Sequence, residues 1–133
     1  MKSHMIQCPI NHTFQLVGKK FTVLIIRNMI HRGHKRFNQL LEIEGINAKV
    51  LSARLKEMEK DGLIERKVYA ESPIRVEYSL TEKGLALEPI LEQMSAYSMQ
   101  FCAKDIFKDG RPRKPEQVYV FDKSIAKQSL AIV

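Results

Sequence analysis

Residues 45–64 read GINAKVLSARLKEMEKDGLI, and this stretch decides the fold. Gly45 can supply the positive φ of a tight turn, and Asn47 is a good N-cap for a helix that begins after it. Apolar residues then recur at i, i+4 and i+7 and predict one buried helix face, formed by Leu51, Leu55 and Met58. Gly62 stops the helix. The stretch therefore predicts a tight turn followed by an amphipathic helix that runs to about residue 61.

A β-hairpin is predicted after this helix. Residues 63–69 and 75–80 form its strands, because the second segment alternates apolar and polar side chains, and a longer loop joins them. Thr81 then caps a helix that Pro89 kinks or restarts. Apolar residues continue at helical spacing, so we predict a helical segment over about residues 81–102.

Three helical patterns precede the turn. The first spans residues 8–19, with Pro9 tolerated in its first turn. The second, over residues 20–29, is apolar on nearly every side, which predicts a helix at the centre of a small core. A short third helix contains Phe37 and Leu40. Two short helices joined by a glycine-containing turn and followed by a hairpin are typical of a winged helix-turn-helix, so the predicted fold class is α+β, mainly helical.

The helix that follows the turn carries a basic face. Advancing 100° per residue from the centre of the buried side gives an opposite face of Lys49, Ala53, Lys56 and Lys60. In a winged helix-turn-helix this helix enters the major groove, and its amino-terminal residues contact base edges. We therefore predict that Lys49, Val50 and Ala53 read bases. Arg54 and Lys56 are predicted mainly to contact phosphates, and a merely solvated lysine face is the alternative.

The net charge is +7, from 22 Lys plus Arg against 15 Asp plus Glu, and its placement supports this interpretation. Residues 1–62 contribute +6, residues 63–102 contribute −2 and residues 103–133 contribute +3. A basic segment that contains the candidate recognition helix favours double-stranded DNA as the partner. An acidic or apolar face would have favoured the alternative function, a winged-helix module for protein–protein contact without DNA binding.

The chain of 133 residues is long enough for one domain with its own core, and two cysteines exclude a disulfide scaffold. Cys8 and His12 lie four residues apart, but two ligands do not make a metal site. No nucleophile motif, carboxylate pair or phosphate loop marks an enzyme, so we expect no catalytic residue, metal or cofactor. No apolar run reaches the length of a membrane span and no secretory signal is recognisable, which predicts a cytoplasmic protein without membrane contact.

Several segments resemble the HxlR-type family of transcriptional regulators. They are Cys8-Pro9-Ile10, residues 18–27 (GKKFTVLIIR), 36–40 (RFNQL), 45–59, 61–64 (DGLI) and 75–81 (RVEYSLT), together with Gly84. Their order and spacing over about residues 8–100 resemble the family pattern. Gly18-Lys19-Lys20-Phe21 stands where the family usually has Gly-Gly-Lys-Trp, and Pro73-Ile74 stands where it usually has two prolines.

The resemblance implies a homodimer that pairs through the first helix and the helix after the hairpin, about residues 8–19 and 81–102. The apolar residues that fit this role are Phe14, Val17, Ile90, Leu91, Met94, Tyr97 and Phe101. On the residues alone, such a stripe is more often intramolecular core. A dimer implies a pseudo-palindromic operator with half-sites about one helical turn, or a multiple of it, apart.

The resemblance also places two arginines at the DNA. Arg75, on the wing, would reach the minor groove or its phosphates, and Arg36 would lie near the backbone. With Ser52 flanking the reading face, the candidate DNA-binding set is Arg36, Asn47, Lys49, Val50, Ser52, Ala53, Arg54, Lys56 and Arg75.

A thiol response is a further implication of the resemblance. Some HxlR-type regulators sense oxidants or electrophiles through a cysteine in the Cys-Pro position, which in some pairs with a cysteine near the carboxyl end of the partner chain. The corresponding residues here are Cys8 and Cys102, and a helix amino terminus favours the reactive thiolate. An intersubunit disulfide would shift the spacing of the two reading helices. The alternative is that both are ordinary buried small hydrophobes.

The domain organisation follows from these patterns. We predict that residues 1–102 form the winged helix-turn-helix domain with its dimerisation helices. After Cys102 the pattern fades, residues 109–115 read as a loop or linker, and residues 118–121 fit a short strand. Residues 103–133 are therefore predicted to be a C-terminal extension of uncertain fold.

Overall fold

The order of helices and strands is that of a winged helix-turn-helix in the computed structural model, which describes residues 4–119. These residues form α1 (Pro9–Val17), α2 (Thr22–His31), α3 (Phe37–Leu40), α4 (Ala48–Lys60), β1 (Ile64–Tyr69), β2 (Arg75–Leu80), α5 (Glu82–Leu85), α6 (Glu88–Phe101), α7 (Ala103–Ile106) and α8 (Pro115–Tyr119). The predicted fold class, α+β and mainly helical, is confirmed.

Helix α4 begins where its capping residue predicts. The Asn47 Oδ1 accepts a hydrogen bond from the Val50 N–H at 2.9 Å, which satisfies one of the free donors of the first turn. Gly45 adopts a φ of +83°, as the tight turn before the helix requires. The predicted apolar face is buried, and it consists of Leu51, Leu55 and Met58. These contacts confirm the turn and the helix that the sequence predicts.

Helix α2 lies at the centre of the core, as predicted from its apolar sequence. Ile25 and Ile26 have no exposed surface. The buried apolar cluster around them draws on every element from α2 to β1 and comprises Phe21, Ile25, Ile26, Met29, Ile30, Leu40, Ile43, Leu51, Leu55, Met58, Leu63, Ile64 and Leu87. The helix starts at Thr22 rather than residue 20, because Phe21 adopts a left-handed φ of 79°.

The hairpin pairs β1 with β2 in an antiparallel register that runs from Ile64↔Leu80 to Tyr69↔Arg75. A hydrogen bond at 2.7 Å from the Tyr78 N–H to the Lys35 carbonyl ties β2 to the segment before α3. The wing is therefore attached to the helix-turn-helix on both sides, through the chain after α4 and through this backbone contact.

The helical segment after the hairpin is divided as Pro89 predicts. Thr81 Oγ1 accepts the Gly84 N–H at 3.1 Å and caps the short α5. Pro89 then lies in the first turn of α6, where its missing N–H leaves no helical bond unmade. The prediction of a restarted helix is confirmed.

The strand predicted over residues 118–121 is wrong for residues 118 and 119. Both lie in α8, because Pro115 is compatible with a first helical turn and the Lys114 N–H donates to the Gln117 Oε1 at 2.8 Å. Helix α8 packs on α6, and the Arg113 N–H donates to the Met99 carbonyl at 3.2 Å. The rest of that strand and residues 124–133 lie outside the described residues, and the domain boundary at residue 102 stays a prediction.

Across the described part of the chain, every helix is too short or too polar to traverse a lipid bilayer.

Replacing Gly84 should destabilise the joint between the hairpin and α5. A Cβ at this buried position would overlap the Leu63 carbonyl oxygen, which also accepts the Thr81 N–H at 3.0 Å. We expect Gly84→Ala to lower the free energy of unfolding by roughly 1–3 kcal/mol or more in urea titrations. Gly33→Ala is the control, because its Cβ would meet no atom within 4 Å and carries only the cost of a φ of +65°, about 1 kcal/mol. An equal loss in both variants would contradict the expected overlap.

Glu88 should make stability depend on pH. It is fully buried in the first turn of α6, and both of its carboxylate oxygens lack a hydrogen-bond partner. Burial, followed by the nearby negative charge of Glu92, raises the pKa of Glu88 from 4.5 to about 7. The folded state thus binds more protons than the unfolded state. The stabilisation is complete below about pH 4.5 and is lost as pH rises through about 7.

We expect Glu88→Gln to be more stable than the parent protein at pH 8, by about 1–3 kcal/mol, because it removes an uncompensated buried charge. The difference should shrink as pH falls toward 4.5, because the parent side chain is then protonated in the folded state and increasingly protonated in the unfolded state. Urea unfolding at pH 5 and pH 8 measures the effect, with Glu65→Gln on the exposed face of β1 as the control. A gain in stability that is the same at both pH values would exclude the ionisation of Glu88 as its cause.

Candidate nucleic-acid interface

The face of α4 opposite the core is exposed and basic. Three lysines and one small residue lie on it, namely Lys49, Ala53, Lys56 and Lys60. This is the face predicted from the 100° step of a helix. Ser52 is half-buried beside it, and Val50 is half-buried and packs against the core. Val50 therefore offers the interface only part of its side chain.

Asn47 lies exposed at the amino-terminal end of this face. Its side-chain oxygen is bound to the Val50 N–H, so the residue sets where the helix begins. Ala53 is one helical turn or more from each end of α4, and its small side chain lets a partner surface approach the helix closely. Around it, the lysines present charge with long, flexible side chains.

Arg54 serves within the protein, whereas the sequence predicts a phosphate contact for it. The Arg54 Nε donates to the Lys20 carbonyl at 2.8 Å, and Nη1 lies 3.5 Å from the Glu57 Oε2. Lys19 Nζ approaches the same Glu57 oxygen at 3.1 Å. These contacts dock α4 onto the segment between α1 and α2, and only 21% of the Arg54 side chain is exposed. Its predicted DNA contact stays a prediction, and the geometry gives it a positional role.

Arg75 is likewise held by its own hairpin. Nη1 donates to the Glu77 Oε2 at 2.7 Å, and Nη2 donates to the Glu71 Oε1 at 3.0 Å. The guanidinium lies over the Tyr69 ring, 3.9 Å from its centroid. Two carboxylates and an aromatic face therefore fix the side chain that the sequence predicts to reach the minor groove.

Arg36 stands at the start of α3, close to the wing. Its N–H donates to the Gln39 Oε1 at 3.0 Å, and its side chain is half exposed with Nη2 3.9 Å from the Glu77 Oε2. An open cleft of about 460 Å³ separates this end of α3 from the tip of the hairpin. The cleft is lined by Arg36, Phe37, Asn38 and residues 71–76. Arg36 is thus brought beside Arg75, although the two are far apart in sequence.

Sequence reasoning missed three exposed cations on or next to the hairpin: Lys35, Arg66 and Lys67. Lys35 precedes α3, and the other two are adjacent on β1, where Lys67 Nζ lies 5.1 Å from the centroid of the Tyr69 ring. Two neighbouring basic residues in the first strand of a wing are a signal that the sequence already contains. Successive strand residues point to opposite faces, so Lys67, which is paired with Glu77, shares a face with Arg75, whereas Arg66 points to the other face.

Exposed apolar side chains on α1 and α6 form a second candidate set, called here the apolar surface. Its exposed members from the predicted set are Phe14, Ile90, Met94, Tyr97 and Phe101, with Ile6 and Ile10 beside them on the amino-terminal side. The Tyr97 and Phe101 rings lie 5.4 Å apart between centroids. Val17 and Leu91, also predicted for this surface, are half-buried and pack against the core. Five of the seven predicted residues are therefore available to a partner, and their predicted role in a dimer stays a prediction.

The two cysteines occupy the ends of the helices that carry this surface. Cys8 is exposed and precedes the first residue of α1, and Cys102 is half-buried at the carboxyl end of α6. Both are free thiols. No cluster of three or more His, Cys, Asp or Glu side chains able to hold a metal ion occurs among residues 4–119.

Comparison with known proteins places these features in a family. Residues 16–106 match the HxlR-like helix-turn-helix family. The HTH-type transcriptional regulator YodB of Bacillus subtilis is 43% identical over 97 residues, which cover 71% of this chain and 86% of YodB. The structure of reduced YodB matches with a TM-score of 0.62 and 40% identity over 73% of this chain and 96% of that one. The oxidised form of the redox regulator HypR matches with a TM-score of 0.62 and 40% identity over 68% of this chain and 94% of HypR. The resemblance noted in the sequence is confirmed, and the chain belongs to the HxlR-like helix-turn-helix family.

Proposed function

We propose that this protein is a homodimeric, sequence-specific DNA-binding transcriptional regulator whose affinity for its operator responds to thiol oxidation. The observation that carries the proposal is the exposed face of α4 with Lys49, Lys56 and Lys60 opposite the buried face. A helix of this kind at the second position of a helix-turn-helix suits the major groove. The similarity to YodB, a transcriptional regulator, supports the same function.

The basic face also favours DNA over the alternative of a protein–protein module. Two further exposed cations, Lys35 and Lys67, lie in one groove where the hairpin meets the segment before α3. Cations on α4 and beside the wing suit a phosphate backbone, with phosphate contacts fixing the register and base contacts giving specificity. A winged helix that binds protein through this face would be expected to present apolar or acidic residues there instead.

A second copy of the chain is the partner that we propose for the apolar surface of α1 and α6. Phe14 is 65% exposed and Phe101 73%, and a second copy that brings α1 of one chain against α6 of the other would cover both. Pairing two copies through this surface places two α4 helices on one duplex and gives a pseudo-palindromic operator.

Thiol oxidation is the signal that we propose. Cys8 is exposed and Cys102 lies at the far end of α6, so both are at the edges of the proposed dimer surface. A small oxidant would accept two electrons and two protons as the Cys8 thiol of one copy and the Cys102 thiol of the other form a disulfide. The new bond would re-space the two α4 helices and change affinity for the operator. HypR, a redox regulator, is among the similar structures.

Selection of bound duplexes from a random pool should return a pseudo-palindromic site. The logarithm of the binding constant for that site should fall linearly with the logarithm of the salt concentration. Lys56→Gln should reduce the salt slope by about 0.9, because one phosphate contact is lost. Lys49→Gln should instead relax the preference at one base pair, by roughly 1–3 kcal/mol. Lys108→Gln, a matched loss of charge after α7, is the control. Binding that ignores salt would refute the proposed function.

Mild oxidation with diamide or hydrogen peroxide should produce a covalent dimer on a non-reducing gel. Cys8→Ser and Cys102→Ser should each abolish it, because the proposed disulfide needs one residue from each copy. Reduction with dithiothreitol should return the monomer band and the original affinity for the selected duplex. A covalent dimer that persists in Cys102→Ser would instead indicate pairing between two Cys8 residues, and no dimer in the parent protein would contradict the thiol response.

A further inference from the structure

A carboxylate lies among three cations where the wing meets the start of α3. The Glu77 Oε2 accepts from the Arg75 Nη1 at 2.7 Å, and it lies 3.8 Å from the Lys35 Nζ and 3.9 Å from the Arg36 Nη2. The Glu77 side chain is 14% exposed, whereas those of Lys35 and Arg36 are 57% and 50% exposed. The mostly buried Glu77 carboxylate therefore contacts the less exposed Arg75 and two cations that are about half exposed.

The backbone is joined at the same place. The Tyr78 N–H donates to the Lys35 carbonyl at 2.7 Å, and the N–H groups of Lys35 and Arg36 both donate to the Gln39 Oε1. The residue before Tyr78 is Glu77, so its side chain emerges from the strand directly beside this joint. It is the side-chain part of the connection between the wing and the segment that leads into α3.

An acid in a surface that faces phosphates opposes binding by its charge. Glu77 is nonetheless covered by cations in the middle of the candidate interface. A structural gain offsets this repulsion, because the carboxylate gives three mutually repelling cations a common partner. Without it, Lys35, Arg36 and Arg75 would tend to spread apart in the folded protein.

Arg75 belongs to the same cluster of contacts as Glu77. Its two Nη atoms are taken by Glu71 and Glu77, and its guanidinium rests on the Tyr69 ring. Tyr69 and Arg75 are also paired in the strand register. The side chain thus braces the loop end of the hairpin and connects it to Glu77.

We propose that Glu77 is a positioning residue of the DNA interface. By holding Arg75 of the wing together with Lys35 and Arg36 before α3, it sets the angle of the wing against the helix-turn-helix. The exposed cations of the wing then meet the backbone in register with α4 in the major groove. The inference rests on the proposed DNA-binding function. In it, Glu77 acts by fixing the orientation of the wing and not by contacting DNA.

The test compares Glu77→Gln with Glu65→Gln, an exposed carboxylate on the same hairpin. Both variants remove one negative charge, so a purely electrostatic effect would tighten DNA binding in both. The probes are the duplex that the parent protein selects from a random pool and a random-sequence duplex of equal length. We expect Glu77→Gln to bind the selected duplex roughly tenfold more weakly, within the range found for coupled side chains in contact. Its affinity for the random duplex should not fall.

Two further variants separate positioning from a folding defect. Glu77→Asp keeps the charge on a shorter side chain and should recover part of the affinity for the selected duplex. Arg75→Lys should cause a similar loss to Glu77→Gln, and the double variant should lose no more than either single one, because both remove the same connection. Thermal unfolding of each variant shows whether it folds. If Glu77→Gln does not fold, Glu77→Asp and Arg75→Lys still test the positioning role.

The outcomes distinguish the two levels of the proposal. If the parent protein selects no duplex, the proposed function fails, and the role of Glu77 in DNA binding fails with it. If the parent protein selects a duplex and Glu77→Gln binds it as tightly as Glu65→Gln does, the function stands and the positioning role is refuted. Additive losses in the Arg75→Lys and Glu77→Gln double variant would also refute it.

Discussion

The burial of one face of α4 is the constraint on which the rest of the structure depends. Leu51, Leu55 and Met58 enter the same apolar cluster as α2, and each contributes about 1.5–3 kcal/mol by leaving water. Because side chains advance 100° per residue, a helix that is held by this face must turn its lysines outward. The position of the core thus determines which residues a duplex would meet.

Two arginines illustrate how the charge of the interface is organised. Arg54 binds the Lys20 carbonyl and fixes α4 to the segment after α1, while Arg75 is held by Glu71 and Glu77 on the wing. Neither extends freely into solvent. The flexible cations that remain exposed are mostly lysines, whose point charges suit phosphates, whereas the planar guanidinium groups make the oriented bonds that hold the elements in place.

The Arg54 contact connects the basic face of α4 with the helix that carries part of the apolar surface. Helix α1, which carries Phe14 on the apolar surface, leads directly into the segment onto which Arg54 docks α4. Cys8 lies at the start of α1 and Cys102 at the end of α6. In the proposed dimer, a change in how the two copies pair would reach α4 through this short run of chain rather than across the whole core.

The sequence by itself determined the order of helices and strands as far as α6, the caps at Asn47 and Thr81, the restart at Pro89 and the basic face of α4. All of these depend on local periodicity and on neighbouring residues. Only the tertiary structure decided the roles of Arg54 and Arg75. The Lys20 carbonyl lies 34 residues from Arg54 in the chain, and the pairing of β1 with β2 sets Arg75 over the Tyr69 ring beside two nearby carboxylates. Residues 118 and 119 were misassigned as strand for a related reason, since a short apolar run fits either structure until packing on α6 selects the helix. Local pattern specifies which face of an element is buried, and tertiary contact specifies which charged side chains remain available to a partner.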